Sequence, residues 1–501
     1  MISVDRLKLA SLFALSTALA LNGLIVDRCY GQAVAVASIS GQVADSTGAL
    51  VPNAEITATQ TETHFVRMAA SDQQGHYTLS NLPVGPYTLE VKVQGFKTYE
   101  QKGILLEVGN NVQINAAMEV GAVTDAVEVS ASASMVETKE NDVAQVVNQR
   151  QINDLPLNGR QATQLILISG ASAAAPADSL SSTKNHPSEV TMSVAGGQAN
   201  ATNYLLDGGG NVQTFTNLNL PFPFPDALQE FSVETSSLPA RNGSHPGGLV
   251  NVVTKSGTND LHGDLFDYIR NGDLNARNYF AATHDGLKRN QFGGTVGGHI
   301  IRDKLFFFAG YQGTRTHTAP PQTISYVPTA AVLSGDFSTL DGAGCQSSGK
   351  NKPVTNPTAA APFPGNQIPV SLFDPAALKV ASYLPAAQTG CGKVTYGIPQ
   401  ISNYDEIIGR VDYVKSSKQA LFARYYLNDY DYPAFYSPNN LMWSNNPGEL
   451  MRSQSVTLGD TYTLSPTTVN SFHATFTRMR NDRAPSDQQL SPAVVGINAY
   501  T

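Results

Sequence analysis

Long stretches of this sequence alternate apolar and polar residues, which is the spacing of a β-strand with one buried face. Residues 87–94 alternate without a break, and residues 112–120 repeat the pattern. Turn-forming residues separate such stretches, as in 45–48 and 83–86. We therefore predict a compact β-sandwich over residues 38–120.

The next part of the chain has a different texture. Residues 143–167 mix polar and apolar side chains at helical spacing, and a stretch rich in Ala, Ser and Pro follows them. Four short strand-like runs come next, at 191–194, 204–208, 231–235 and 249–254. This mixture predicts an α+β domain over residues 121–258.

Longer alternating stretches occupy residues 259–501. We predict seven strands, at 261–270, 290–302, 304–316, 406–415, 419–429, 453–464 and 468–480. The connections between them are in turn long and short, and the longest covers residues 317–405. Transmembrane β-barrels combine tight periplasmic turns with long outer loops in this way. The pattern favours the first strands of an antiparallel transmembrane barrel, with a soluble all-β solenoid or sandwich as the alternative.

The N-terminus has the layout of an export signal. Arg6 and Lys8 precede an apolar run over residues 9–26, and small residues follow at 18–20 and 35–37. We therefore assign residues 1–37 to a signal peptide and leader, and we expect the protein to reach the outer membrane of the cell. An uncleaved membrane anchor is the alternative.

Composition and charge exclude several functions. Charged residues make up 14% of the chain, and the net charge of -8 is spread without a basic stripe, which argues against nucleic-acid binding. His186-Pro187-Ser188-Glu189 has the His-x-x-Glu spacing of zinc carboxypeptidases, but a third ligand is missing. We expect no catalytic residue, no metal and no cofactor, and hence no enzyme.

Two of the three cysteines, Cys345 and Cys391, lie in one insertion rich in Pro and Gly. In an oxidising envelope they could pair and staple that insertion, which would contribute up to ~4 kcal/mol in the chain-entropy model. Two free thiols are the alternative.

The sandwich segment resembles a known family. Ser40-Gly41-Gln42-Val43, Val51-Pro52-Asn53-Ala54-Glu55-Ile56 and the run from Gly75 to Tyr87 look like the carboxypeptidase-regulatory-like domain. The resemblance covers the whole segment. It implies a transthyretin-like, carbohydrate-binding-like sandwich without catalytic residues.

The rest of the chain resembles the Oar-like TonB-dependent outer-membrane receptors, in which a sandwich, a plug and a barrel follow in this order. The shared stretches include residues 155–160, 203–208, 247–259, 262–264, 274–280, 303–308 and 335–338. The resemblance implies a receptor that takes up a substrate with energy from a TonB-type coupling protein, and it makes 121–258 the plug. Such barrels close with about 22 strands, so seven strands indicate an N-terminal fragment.

A short segment between sandwich and plug resembles the TonB box, the strand that the coupling protein grips. Its extended pattern, with Val127 and Val129 alternating, suits addition to a partner's sheet edge. A first plug strand or a plain linker is the alternative. The candidate residues are Asp125, Ala126, Val127, Glu128, Val129, Ser130 and Ala131.

Charged plug residues within the shared stretches are candidates for contacts with the barrel wall. They are Arg160, Asp207, Glu230 and Lys255, with Glu234 and Arg241 beside them, and the wall candidates are Arg410, Asp412 and Arg424. Ion pairs of this kind would keep a plug seated yet displaceable. Solvated surface charge is the alternative for each of them.

Two functions follow from these features. The first is energised uptake across the outer membrane, with the substrate set by the outer loops. The second is an envelope protein that binds carbohydrate or acts in adhesion through the sandwich. Stacking on sugars would need exposed aromatic residues, for which Tyr77, Tyr87, Phe96 and Tyr99 are candidates, although Tyr77 and Tyr87 alternate like core residues.

Overall fold

The computed structural model describes residues 37–501 with gaps. The gaps are residues 124–125, 131–142, 176–187, 237–246, 278–285, 319–322, 360, 398–399, 439, 444–446, 466–467, 487–489 and 499–501. The predicted export signal therefore lies outside the described residues, and so do Asp125, Ala131, His186 and Arg241.

Eight strands form the predicted sandwich, and a ninth, β9, joins one of its sheets from beyond residue 120. They are β1 (Ala37–Asp45), β2 (Glu55–Gln60), β3 (Val66–Ala70), β4 (His76–Leu82), β5 (Gly85–Lys92), β6 (Thr98–Leu106), β7 (Asn111–Gln113), β8 (Ala116–Met118) and β9 (Ala126–Ser130). One sheet has the order β4-β1-β7, with β8 also paired to β1, and the other has the order β3-β2-β5-β6-β9.

The core of the sandwich follows from the alternation of its strands. In β5, Tyr87, Leu89 and Val91 are buried, and the residues between them are half-buried. They pack with Ile39, Ile56 and other apolar residues of both sheets into one continuous cluster. Burial of apolar surface is the main driving force for folding, so the period-two pattern alone specifies this domain.

The predicted α+β domain, which we call the plug, is built around a mixed sheet of order β10-β15-β16-β13-β14. Its strands are β10 (Val143–Asn148), β13 (Asn203–Leu206), β14 (Gly209–Gly210), β15 (Leu228–Ser236) and β16 (Leu249–Thr254). A separate pair consists of β11 (Ser172–Ala174) and β12 (Met192–Val194). The sheet is covered by helix α1 (Gln149–Asp154) and by a 3-10 helix at Ala162–Ile168.

Residues 143–148 form a strand, where the sequence pattern predicted a helix. The helical spacing of 143–167 is interrupted at its start, because β10 pairs antiparallel with β15 over its whole length. The helix begins only after Asn148, whose side chain accepts a hydrogen bond from the backbone amide of Gln151 in a capping box. A capping signal at 148 thus marks the true start of the helix.

Seven long strands form the third sheet, and each pairs antiparallel with the next in chain order. This confirms the predicted strands. They are β17 (His262–Asn271), β18 (Lys288–Ile301), β19 (Leu305–Thr318), β24 (Gln400–Ser416), β25 (Gln419–Tyr432), β26 (Gly448–Ser465) and β27 (Thr468–Ala484).

The strands extend further at the long-loop end than their apolar alternation indicated. For example, β24 begins at Gln400 instead of residue 406, and β26 begins at Gly448 instead of residue 453. Cross-strand ion pairs occupy these ends, such as Arg315–Asp405 at 2.8 Å and Arg452–Asp429 at 2.6 Å. The backbone ladder continues there although the apolar pattern has stopped.

The two faces of this sheet differ in character. The inner face, which we define as the face towards the plug, carries polar side chains such as Gln291 and Gln312. The opposite, outer face exposes large apolar side chains, with Leu265 92% exposed. Others on the outer face are Ile269, Val296, Ile407, Val411, Leu458, Phe472 and Phe476. An apolar exterior with a polar interior is typical of transmembrane barrels.

The long connection between β19 and β24 has secondary structure of its own. It contains β20 (Thr323–Tyr326) paired with β23 (Lys393–Tyr396), β21 (Thr355–Asn356) paired with β22 (Ala361–Pro362), and helices α2 (Ala330–Leu333) and α3 (Pro375–Ala381). Among the described residues, the helices are all too short or too polar to cross a bilayer.

Gly257 lies where the plug joins the first long strand, and its closeness to the neighbouring backbone yields a prediction. A Cβ atom at this position would come within 2.3 Å of the carbonyl oxygens of Gly298 and Phe307. We expect Gly257→Ala to lower the free energy of unfolding by about 1–3 kcal/mol, because the backbone must shift to admit the methyl group. The measurement is the temperature at which half of the protein changes from the gel mobility of the folded form to that of the unfolded form.

The matched control is Gly409→Ala. A Cβ atom at Gly409 would meet nothing within 4 Å, so this variant should behave like the wild type. Equal midpoints for the two variants would contradict the tight fit at Gly257.

Candidate functional site

Asp207 is the centre of the contact between the plug and the long-strand sheet. It lies in the turn between β13 and β14, with a positive φ of 50°. Its side chain is only 2% exposed. One carboxylate oxygen accepts hydrogen bonds from the Thr254 amide at 2.9 Å and from Arg410 Nη1 at 3.1 Å, and the other accepts one from Arg424 Nε at 3.1 Å.

Arg410 and Arg424 are direct cross-strand partners on β24 and β25. Like charges placed opposite each other destabilise a sheet unless anions separate them. Here Asp207 bridges the two guanidinium groups, and Asp412 holds Arg410 at 2.9 Å. Two arginines and two aspartates therefore form an electrically neutral cluster, which we call the Asp207 cluster.

The remaining donors of Arg424 are also satisfied. Nη1 donates to Ser455 Oγ at 2.8 Å, and Nη2 donates to Thr457 Oγ1 at 2.7 Å. The Arg424 side chain is 0% exposed. A buried charge is tolerated only where its hydrogen bonds are complete, so β26 contributes to the site through these two hydroxyl groups.

A second contact surrounds Arg160, whose guanidinium group forms an ion pair with Asp226 inside the plug. Its Nε donates to Gln312 Oε1 on β19 at 3.2 Å. The group also lies over the rings of Phe266 and Tyr268 on β17, with centroid distances of 4.8 and 4.1 Å. Cation–π contact and hydrogen bonding thus join the plug to two strands of the sheet.

The sheet continues this polar network on its own inner face. Gln312 Nε2 donates to Glu406 at 2.9 Å, and the hydroxyl of Tyr426 lies 2.7 Å from the same carboxyl group. That hydroxyl is also 2.9 Å from the carbonyl oxygen of Phe222 in the plug. Glu406 and Tyr426 were not among the sequence candidates. Glu406 lies four residues before Arg410 on β24, so both side chains are on the same face of the strand. This spacing was the signal that could have identified Glu406.

Lys255 and Glu230, the other two plug candidates, have different surroundings. The pKa of Lys255 is lowered by burial, while the negative charges of Asp264 on β17 and of Asp226 oppose this shift. Glu230 faces the sandwich: its carboxylate accepts a hydrogen bond from the Val108 amide at 2.7 Å. The described contact of Glu230 is therefore with the sandwich and not with the sheet, unlike the prediction.

Burial raises the pKa of Glu230 from 4.5 to about 7, with the nearby charge of Glu107 adding to the shift and the Val108 hydrogen bond opposing it. A carboxyl group with a raised pKa binds its proton more tightly in the folded state than in the unfolded state. Its contribution to stability is therefore favourable at low pH and is lost as the pH rises from 4.5 to about 7.

The sandwich also rests on the short turns of the sheet. Arg67 Nη1 donates to the carbonyl oxygen of Ser417 at 3.2 Å, and His64 Nδ1 is 2.8 Å from Asp303. The backbone amide of Asn259 donates to the carbonyl oxygen of Glu62 at 2.9 Å. The sandwich consequently lies at the end of the sheet that the turn lengths predict to be periplasmic.

The candidate TonB box forms strand β9 over five of its seven residues. This strand pairs parallel with β6, with Thr98 opposite Ala126 and Lys102 opposite Ser130. Val127 is half-buried and Glu128 is exposed. Its local pattern of residues did not predict that this segment would pair with the sandwich.

Cys345 and Cys391 form a disulfide bond, with their Cα atoms 5.3 Å apart. The bond closes a loop within the long connection between β19 and β24. Clusters of three or more His, Cys, Asp or Glu side chains that could hold a metal ion are absent among the described residues.

The Asp207 cluster yields a prediction about plug seating. Replacing Asp207 with Ala leaves Arg410 and Arg424 facing each other without their shared anion. We expect a loss of about 3–5 kcal/mol in the stability of the seated plug, because an uncompensated charge remains buried. The measurement is the rate of protease cleavage of the plug in isolated outer membranes.

The control is Asp429→Asn, which removes one partner of the exposed Arg452–Asp429 pair. Exposed pairs contribute about 1 kcal/mol or less, so protection of the plug should change little. If both variants left the plug equally protected, Asp207 would not be what holds it.

The pKa of Glu230 yields a second prediction, about the contact between sandwich and plug. In the wild type, hydrogen exchange at the Val108 amide should be slower at about pH 5 than at about pH 8, after correction for the intrinsic rate. Glu230→Gln keeps an acceptor but cannot ionise, so its protection should not vary with pH over this range. A wild-type protection that stayed constant would rule out the titration of Glu230 as the cause.

Known proteins share the two main parts of this chain. Residues 38–119 match the family described as the carboxypeptidase regulatory-like domain. Residues 253–500 match the family described as the outer membrane beta barrel domain.

A curated relative is similar to about half of this chain. The TonB-dependent transporter Oar of Myxococcus xanthus is 26% identical over 282 residues, which is 53% of this chain and 26% of that protein. The chain thus spans about a quarter of the length of this relative.

Solved structures of siderophore receptors are similar at low identity. One is a variant of the ferric enterobactin receptor PfeA of Pseudomonas aeruginosa, with a TM-score of 0.41 and 13% identity, over 68% of this chain and 41% of that one. Another is the siderophore receptor PiuA of Acinetobacter baumannii, with a TM-score of 0.36 and 14% identity, over 69% of this chain and 46% of that one.

The two domain matches cover the sandwich and the sheet of long strands. The barrel match and the relative place the chain in the outer membrane. The chain is a homologue of the TonB-dependent transporter Oar, with a carboxypeptidase regulatory-like domain followed by an outer-membrane β-barrel domain.

Proposed function

We propose that this protein takes up a substrate across the outer membrane when a TonB-type coupling protein displaces the plug. The observation that carries the proposal is the Asp207 cluster, through which the plug is seated on the inner face of the sheet. The proposed activity is binding and transport, without a chemical step on the substrate.

The chemistry of the cluster suits a plug that is held and then moved. Hydrogen bonds and ion pairs can be exchanged for bonds to water as an interface opens, so the net free energy of each is modest. A wholly apolar interface would instead expose its surface to water on opening, at about 25 cal/mol per Å². The apolar contact between plug and sheet is small, with Phe224, Phe308 and Tyr426 among its buried members.

We propose separate roles for the four charged plug residues. Asp207 and Arg160 would hold the plug against β24, β25 and β19, and Lys255 would support the same contact through Asp264. Glu230 would fix the plug to the sandwich. A disulfide bond between Cys345 and Cys391 would hold the long outer connection compact, where it could contact substrate.

The segment gripped by the coupling protein would be strand β9, which connects sandwich and plug. Strand addition uses backbone hydrogen bonds, so an extended segment with few special side chains is sufficient. Its attachment to the sandwich, which contacts the short turns of the sheet through Arg67 and His64, suits a partner in the periplasm.

The carbohydrate-binding alternative finds less support in the sandwich. Tyr77, Tyr87 and Tyr99 are all buried in its core, where they cannot stack on a sugar. Burial of these rings leaves Phe96, which is half-buried, as the remaining aromatic candidate.

A proline in β9 tests the proposed role of this strand. We expect Val127→Pro, or Val129→Pro, to abolish energised uptake and to leave substrate binding at the cell surface unchanged, because proline removes a backbone donor from the ladder. Uptake and surface binding of the substrate are measured side by side in whole cells.

Val127→Ala is the matched control, since it shortens the side chain and keeps the backbone donor on which strand addition depends. It should transport like the wild type. Normal uptake by the Val127 and Val129 variants would exclude β9 as the coupling strand.

A further inference from the structure

We infer that the sandwich presents strand β9 to the coupling protein as a ready-formed edge strand, so that the partner's strand becomes the sixth strand of the sandwich sheet. This inference rests on the proposed function and concerns how that site is recognised. The partner it fits is a periplasmic domain with an exposed sheet edge.

The position of β9 in the sheet is the first observation. The strand order is β3-β2-β5-β6-β9, so β9 is the last strand. Its five residues pair in continuous register with residues 98–102 of β6. Among the residues that the structure describes, the other edge of β9 pairs with no strand.

The second observation is that β9 lies beyond the matched domain. The carboxypeptidase regulatory-like domain matches residues 38–119, and β9 begins at Ala126. The strand is attached to that domain through its backbone ladder with β6.

The third observation is that side chains fix the approach to β9 and its alignment. Lys102 on β6 forms an ion pair with Glu128 at 3.0 Å. Just before the strand, Thr98 Oγ1 donates to the carbonyl oxygen of Val123 at 2.8 Å, and Lys97 pairs with Glu119 at 3.0 Å. These contacts hold the segment extended along β6.

A strand has two edges, because successive backbone groups point to opposite sides. Pairing with β6 uses only one edge, and the second remains for a partner. An isolated segment would lose conformational entropy when it joined a partner's sheet, at roughly 1–2 kcal/mol per residue. A segment already ordered on the sandwich has met that cost, which strengthens binding through preorganisation.

In the opposite arrangement, which we call storage, the sandwich sequesters β9 and the coupling protein can bind the strand only after it has detached from β6. A covalent bond between β6 and β9 distinguishes presentation from storage, because it prevents this detachment. Glu100 and Glu128 are register partners on β6 and β9. Neighbouring strands lie about 4.8 Å apart, within the Cα distances that a disulfide bond spans. The double variant Glu100→Cys, Glu128→Cys can therefore be locked by oxidation.

The experiment measures binding of the purified full chain to the periplasmic domain of a TonB-type coupling protein, before and after oxidation. We expect the locked protein to bind at least as tightly as its own reduced form. Loss of binding on oxidation, with recovery on reduction, would overturn presentation in favour of storage. Failure of the crosslink to form would refute the pairing itself.

Both single-cysteine variants and the wild type are treated in parallel, because reductant also opens the Cys345–Cys391 bond. A wild type that does not bind the coupling domain at all would show instead that the proposed function is wrong.

A charge reversal gives an independent test without oxidation. Lys102→Glu removes the ion pair with Glu128 and places three carboxylates together with Glu100. We expect binding of the coupling domain to weaken about threefold as β9 detaches from β6. Adding Glu128→Lys should restore it, with Glu128→Lys alone as the control. Tighter binding by Lys102→Glu would contradict presentation, because it would mean that the sandwich competes with the partner.

Discussion

The arrangement of plug and sheet depends on one buried carboxylate. Arg410 and Arg424 lie opposite each other on adjacent strands, and neither would be tolerated there without an anion between them. Asp207 supplies it from the plug, while Thr254 fixes the carboxylate through its amide and hydroxyl groups. The wall is thus electrostatically incomplete without the plug, and the plug turn has its counter-charges only in the wall.

The balance between apolar and polar contacts explains how a seated plug can also move. The sandwich and the plug each have a large apolar core of their own. The cluster that joins plug and sheet is much smaller, and it adjoins polar groups such as Arg160, Gln312 and the hydroxyl of its own member Tyr426. Each domain can therefore keep its fold while the contact between them changes.

The sandwich occupies the junction of all the other parts. It touches the short turns of the sheet through Arg67 and His64, the plug through Val108, and the candidate coupling strand through β6. A force on β9 would act directly on β6 of the sandwich sheet, whose opposite edge strand, β3, carries Arg67. The proposed coupling strand is therefore attached to the same domain that contacts the turns of the sheet and the plug.

The sequence by itself determined the mainly β class, the long strands and which face of each strand is apolar, because side chains alternate across a strand with a period of two residues. It also indicated Arg160, Asp207, Arg410 and Arg424 as charges in a domain contact. It misjudged residues 143–148, where a strand pairs with a distant partner, and it shortened strands whose ends carry ion pairs. Tertiary structure alone decided which charges meet, since Asp207 and Arg424 are 217 residues apart. It also decided that β9 pairs with the sandwich and that Glu230 faces Val108, because such contacts depend on how whole domains pack and leave no local periodicity in the chain.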